Sequence, residues 1–278
     1  MKKIAVINDL SGFGRCSLTA ALPVISAMGH EACPLPTAVL SNQTGYDSFF
    51  CDDFTDNMES FKKEWKKLTT SFDGIFTGFI ANERQIGFIL DFIDGFSASN
   101  TLTLVDPVAG DGGSLYASYD KAMCEKICSL VKKADIITPN LTELCILSGG
   151  DYTALRKMDT QELLKAIHEL SSSLTGKKLK TVITTGVPIT RGEKEYLASC
   201  VLWDGGFNTV TAPKIGGSFS GTGDLFASVI ISAALSGVDP LSAVIKAMDF
   251  ISKSIESTVA HPYDRNDGID FQKFLKIL

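Results

Sequence analysis

The feature that most constrains this chain is an alternation. Short runs rich in Val, Ile, Leu or Thr (Ile4–Ile7, Gly74–Thr77, Thr101–Val105, Asp135–Thr138 and Leu179–Thr184) are separated by stretches of helical periodicity (Asp56–Leu68, Glu83–Ile93, Tyr119–Lys133 and Thr160–Leu170). A strand apolar throughout, rather than at every second residue, is covered on both faces, and alternating helices supply both the cover and the crossovers of a parallel sheet. The expected fold is α/β: a single-domain three-layer sandwich with a central, mostly parallel sheet flanked by helices. No fixed repeat or low-complexity linker divides the 278 residues, so residues 1–278 are expected to form one domain.

Two segments depart from the rhythm. Glu195–Trp203 and Gly206–Thr211, turning at Asp204-Gly205-Gly206, predict a late hairpin and an antiparallel edge. Leu225–Leu235 is apolar nearly all round, as a helix inside a large fold would be, and is too short to cross a bilayer.

Composition narrows the function classes. With 45% apolar residues, 21% charged and a net charge of −6, the chain is that of a soluble globular protein with no general attraction to nucleic acid or anionic membrane. Seven scattered cysteines form no zinc-like cluster with the three histidines and read as reduced, mostly buried residues. After Lys2 and Lys3, the apolar run Ile4–Ile7 is too short for a signal-peptide core, so a cytoplasmic location is expected. The paired lysines at 62–63 and 66–67 predict a solvated helix face.

Three segments carry chemistry. "GTGDLFA" at residues 221–227 puts glycines and a carboxylate just ahead of the apolar helix. Exposed amides and the helix dipole suit an anion there, and Asp224 beside an anion site is suited to accept a proton from an attacking hydroxyl. Alone, the stretch reads equally as a helix capped by Thr222. "DPVAGDGG" (106–113) follows a predicted strand, so Asp106 and Asp111 belong to the carboxyl edge of the sheet, where such folds bind ligands. "TPNLTEL" (138–144) places Asn140 and Glu143 three apart at a helix start. Either of these segments alone reads as a turn or a capped helix; jointly they fit a metal–nucleotide site.

These motifs resemble the ribokinase-like superfamily and, within it, the vitamin B6 kinases, over most of the chain. The resemblance implies that Asp224 is the catalytic base and that Gly221, Thr222 and Gly223 form the anion hole. It places Asp106 and Glu143 near the metal, and Asn140, Asp111, Thr184 and Thr185 (of "ITTG", 183–186) near the nucleotide phosphates. "SNQTGY" (41–46) is similar to a B6-kinase motif, which would put Thr44 against the pyridine ring. "NDLSGFG" (8–14), taken as the loop after the first strand, would bring Asp9 and Ser11 to the ring's polar substituents. Phe79, in "TGF", stands where one branch carries tyrosine, and the first-strand loop leans toward the hydroxymethylpyrimidine kinases. The implied activity is ATP-dependent phosphorylation of the 5'-hydroxymethyl group of pyridoxal, pyridoxine or pyridoxamine. Mg2+, K+ and a homodimer come with the resemblance, and no nucleic-acid or membrane partner is expected.

Two rival readings remain: a hydroxymethylpyrimidine (phosphate) kinase and, from another class, a dinucleotide-binding oxidoreductase. The second rests on "GFGRCS" (12–17), which gives G-x-G-x-x but has Ser17 where Gly or Ala belongs.

Overall fold

The computed structural model describes residues 1–116 and 119–278. Its strands are β1 (Lys3–Ser11), β2 (Glu31–Leu40), β3 (Cys51–Asp53), β4 (Gly74–Thr77), β5 (Leu102–Val105), β6 (Gly110–Asp111), β7 (Ser114–Leu115), β8 (Ile136–Ile137), β9 (Thr181–Arg191), β10 (Lys194–Trp203) and β11 (Gly206–Pro213). The helices are α1 (Ser17–Ala27), α2 (Thr55–Leu68), α3 (Glu83–Phe96), α4 (Lys121–Val131), α5 (Leu141–Ser148), α6 (Tyr152–Leu155), α7 (Thr160–Leu174), α8 (Thr222–Leu235) and α9 (Pro240–Val259), with short 3-10 turns at Arg265–Asp267 and Phe271–Ile277.

Nine strands form one sheet in the order β11-β10-β9-β8-β5-β4-β1-β2-β3. The six from β2 to β9 run parallel, while β10 and β11 at one edge and β3 at the other are antiparallel. Side chains alternate between two cores. Ile4, Val6, Phe76 and Leu104 meet α1, α8 and α9 on one face. Ala5, Ile7, Ile75 and Val105 meet α2, α3 and α4 on the other, and a third core lies under α5 and α7 against β9 and β10. The three-layer α/β sandwich is therefore as expected, and so is the late hairpin.

Helix α8 is the most enclosed element, with every residue from Leu225 to Ala233 buried. Each fully buried Val, Leu or Ile there contributes about 1.5–3 kcal/mol, so the start of α8, where Asp224 sits, is anchored to a rigid body.

The sequence reading missed β2 and β3 and stopped β9 too early. Pro34 and Pro36 hide β2, because proline removes ladder donors. They are tolerated because β3 pairs only with Ala38–Leu40, which leaves that edge of β2 open beside the two prolines. The lysine face of α2 is only half solvated: Lys62 pairs with Asp91, and the Lys66 ammonium lies 4.0 Å from the Phe96 ring centroid. Among the described residues no helix is long and apolar enough to cross a membrane. Four cysteines are buried, two half-buried and one, Cys51, exposed, all with free thiols.

Candidate active site

Strand β1 pairs β2 on one side and β4 on the other. The chain thus reverses its direction of winding at β1, and open α/β sheets form a ligand crevice at the carboxyl ends of such a pair. That edge gathers Asn8, Asp9 and Ser11 from β1, Phe79 just past β4, Asp106 just past β5, Asn140 and Glu143 at the start of α5, Thr184 and Thr185 in β9, and Gly221–Asp224 at the start of α8. Asp9 and Ser11 were expected in a loop. They lie instead within the last three residues of β1, where the register with β2 shifts between Asn8 and Leu10.

Asp224 is held on both carboxylate oxygens. Asn8 Nδ2 donates to Oδ1 at 2.8 Å, and the Ser17 backbone N–H donates to Oδ2 at 2.7 Å. The Ser17 amide is the first of α1, so the start of that helix favours the charge on Asp224. Burial pushes the carboxyl up to about 6 nonetheless; the Asp9 charge adds to this, and the Ser17 and Asn8 donors pull against it. A carboxylate poised near neutrality with one lone pair free on each oxygen is suited to take a proton.

Thr222 is the first helical residue rather than the cap. Its hydroxyl donates to the Phe219 carbonyl at 3.1 Å, and Gly221 is the cap, with φ of 80°. A Cβ on Gly221 would stand 1.9 Å from the Arg15 carbonyl oxygen. The glycine is thus required first by the close approach of the loop ahead of α1, and only then by any anion. On the facing side, a Cβ on Gly223 would lie 3.7 Å from Asp106 Oδ2, so the Gly221–Gly223 turn opens toward Asp106.

Asp106 Oδ1 accepts from Thr138 Oγ1 at 2.9 Å. Burial raises its pKa, and the Asp224 charge adds to the rise. Glu143 is buried and also raised well above the ordinary carboxylate range, by desolvation and then by Asp106. Its oxygens are both engaged: Oε1 accepts from Ala109 N at 3.0 Å, and Oε2 accepts from Asn140 N at 2.8 Å in a capping box with Asn140. Among the described residues no lysine or arginine pairs with Asp106, Glu143 or Asp224, and no three His, Cys, Asp or Glu side chains form a ready cage for a metal. Such a set fits a cation that takes one carboxylate and completes its shell with phosphate and water. Among the described residues Asp106 Oδ2 is free of any protein hydrogen bond, whereas Glu143 accepts a backbone N–H on each oxygen and so also shapes the backbone around the site.

The remaining expected residues separate by exposure. Thr184 is fully buried and its hydroxyl has no partner, whereas Thr185 is half-exposed and forms an isolated parallel bridge with Asn140. Asn140 Nδ2 donates to the Gly110 carbonyl at 2.8 Å, tying α5 to the β6–β7 hairpin. Asp111 stands exposed on that hairpin, its Oδ1 accepting from Gly112 N. Thr44 is exposed in the loop from residue 41 to 50, which is fastened to the C-terminal segment by Asn266 Nδ2 donating to the Gly45 carbonyl at 3.0 Å. The half-buried Phe79 ring lies 6.5 Å from that of Tyr119.

Sequence reasoning missed Asn8, Ser17 and Thr138. Only Asn8 carries a signal: a buried amide inside an apolar strand needs partners for all its polar atoms. Ser17 acts through its main chain, which no residue type announces.

A family profile described as phosphomethylpyrimidine kinase matches residues 14–267. The pyridoxal kinase of Dictyostelium discoideum is 25% identical over 270 residues, covering 92% of this chain and 86% of that one. A Bacteroides thetaiotaomicron protein assigned to the phosphomethylpyrimidine kinases and crystallised with pyridoxal is 41% identical, with a TM-score of 0.88 over 99% of this chain and 94% of its own. The pyridoxal kinase of Lactobacillus plantarum is 26% identical, with a TM-score of 0.87 over 99% and 96%. These kinships overturn the dinucleotide-binding reading of Gly12-x-Gly14. The geometry supplies the reason: the first amide of α1, which a pyrophosphate would need, is spent on Asp224.

Proposed function

Because the chain belongs to the phosphomethylpyrimidine kinase family, we propose that it transfers the terminal phosphoryl group of ATP to the 5'-hydroxymethyl group of pyridoxal, pyridoxine or pyridoxamine. The observation that carries this reading is the Asp224 carboxylate, fixed by Asn8 and Ser17 at the start of the buried helix α8, beside the Gly221–Gly223 turn. The kinship with two pyridoxal kinases, and with a protein that crystallised with pyridoxal, supports the choice of alcohol.

In this mechanism Asp224 accepts the hydroxymethyl proton as the oxygen attacks the terminal phosphorus. The bond from that phosphorus to the bridging oxygen breaks, and ADP leaves with its electron pair. The amides of Gly221, Thr222 and Gly223 meet the charge on the transferred oxygens. Asn140, Thr185 and Asp111 line the phosphate side, as the resemblance implies; Thr184 stands behind Thr185 as packing. Asp9 and Ser11 address the ring's polar substituents, with Ser11 Oγ donating to Asp9 Oδ2 at 2.7 Å to hold that carboxyl, while Phe79 and Thr44 border the ring. Asp106 would hold Mg2+, with Glu143 setting the backbone around it, and the ion when bound supplies charge neutralisation for the phosphates. K+ and a homodimer come from the B6-kinase resemblance alone. The whole chain acts as one kinase domain, and a cytoplasmic enzyme suits free thiols at Cys51 and elsewhere.

A second reading, phosphorylation of a hydroxymethylpyrimidine, is favoured by the family description itself. It uses the same base and phosphate side and differs only in the ring. ADP release measured with the three B6 vitamers, hydroxymethylpyrimidine and a few sugars decides between them. Turnover of the vitamers is expected, and consumption of only the pyrimidine or a sugar overturns the substrate. Thr44→Val is expected to raise KM for the vitamer several-fold, about 3–10 times for a lost hydrogen bond, with KM for ATP unchanged.

A further inference from the structure

Asn8 is buried in β1 and satisfied at both ends of its side chain. Nδ2 donates to Asp224 Oδ1 at 2.8 Å, while Oδ1 accepts from Phe79 N at 2.8 Å and from Asp9 N at 3.0 Å. One amide therefore touches the carboxylate at the start of α8 and the backbone of two residues on the substrate side, from β1 and the turn after β4. Space has been cleared for it: a Cβ on Gly78 would stand 2.5 Å from Asn8 Nδ2.

We propose that Asn8 is a positioning residue that sets the distance between the base Asp224 and the alcohol held beside Asp9 and Phe79. The inference rests on Asp224 being the base. An amide suits the task because it donates at one end and accepts at the other, so it joins a carboxylate to two peptide N–H groups with no polar atom left over. A carboxylate here would repel Asp224, and an apolar side chain would leave all three partners short of a hydrogen bond. Misplacement of reacting groups by about 1 Å costs on the order of 100-fold in rate, which is the scale at stake.

Two variants of the full chain separate the two ends of the amide. Asn8→Ser is too short to span the gap. It is expected to lower kcat about 100-fold, to weaken pyridoxal binding in a fluorescence titration about tenfold, and to leave KM for ATP within about threefold. Asn8→Asp keeps the oxygen that serves Phe79 and Asp9 but loses the donor to Asp224. It is expected to hold pyridoxal within about threefold of the parent while kcat stays at least about 100-fold down. Parental kcat in either variant overturns the proposal, as does a fall in kcat matched by an equal fall in the folded fraction measured by circular dichroism at the assay temperature, because unfolding lowers apparent kcat without moving KM for ATP. Asp224→Asn, with Asn8 intact, tests the base itself. Near-parental turnover there removes the reading on which the proposal rests, so the two failures are seen in different proteins.

Discussion

Ser17 and Asp224 meet where two helices begin: the Ser17 N–H donates to Asp224 Oδ2 at 2.7 Å, and Ser17 takes a φ of 51°, the one positive value outside glycine among the described residues. A serine in that region carries a backbone strain of about 1–3 kcal/mol, and here the strain aims an amide at the carboxylate that follows the Gly221–Gly223 turn.

If Asp224 is the base, Asp224→Asn lowers kcat by about 100- to 10,000-fold with little change in KM for ATP. Its pKa is raised by burial, to about 6, and only the ionised form accepts a proton. Turnover of the parent enzyme should therefore climb as pH rises through about 6 and level off above it. A kcat profile from pH 5 to 8.5, flat across that range, would contradict the assignment.

Asp106 carries a cost in stability that removing its charge should recover. Burial and the Asp224 charge raise its pKa to about 7 from 3.8, so the folded protein holds this proton to higher pH than the unfolded chain does. Stability contributed by the protonated carboxyl is therefore present below about pH 4 and is lost as pH rises toward 7. Asp106→Asn, which keeps an acceptor for Thr138, should raise the melting temperature of the metal-free protein by roughly 2–4 °C at pH 8 and leave it unchanged at pH 4, while turnover falls. Thermal scans at the two pH values check this.

Gly221→Ala brings a Cβ onto the Arg15 carbonyl and asks alanine to hold a φ of 80°. Either the loop ahead of α1 or the turn ahead of α8 must move, and a loss of about 2–4 kcal/mol in stability is expected. Turnover should drop further than the stability loss explains, because the displaced loop leads directly into Ser17 at the start of α1. Urea unfolding alongside kcat at a temperature where the variant is folded separates the two.

The two threonines of the "ITTG" strand should behave differently. Thr184→Val replaces a buried hydroxyl that has no partner, so stability is expected to hold or rise by about 1 kcal/mol with kinetics unchanged. Thr185→Val removes a half-exposed hydroxyl beside Asn140, and KM for ATP should rise. Equal kinetic effects in the two variants would reverse this assignment.

Local pattern was enough to read the alternating α/β architecture, the antiparallel hairpin of β10 and β11, the buried helix α8 and the chemical content of "GTGDLFA", "DPVAGDGG" and "TPNLTEL". Hydrophobic periodicity and helix-start chemistry are properties of neighbours in the chain. Strand β2 was hidden because its two prolines matter only against an edge that the sheet arrangement leaves open. The division of labour inside the site was also set by distant contacts. Glu143 closes its own helix and anchors Ala109, Thr184 turns into the core while Thr185 does not, and Gly221 answers first to Arg15. Asn8 and Ser17 reach Asp224 from more than 200 positions away in the chain, and Ser17 does so through a main-chain amide identical in every residue but proline. Residue type dictates what a side chain can donate or accept; which partner it meets depends on how the strands and helices are stacked.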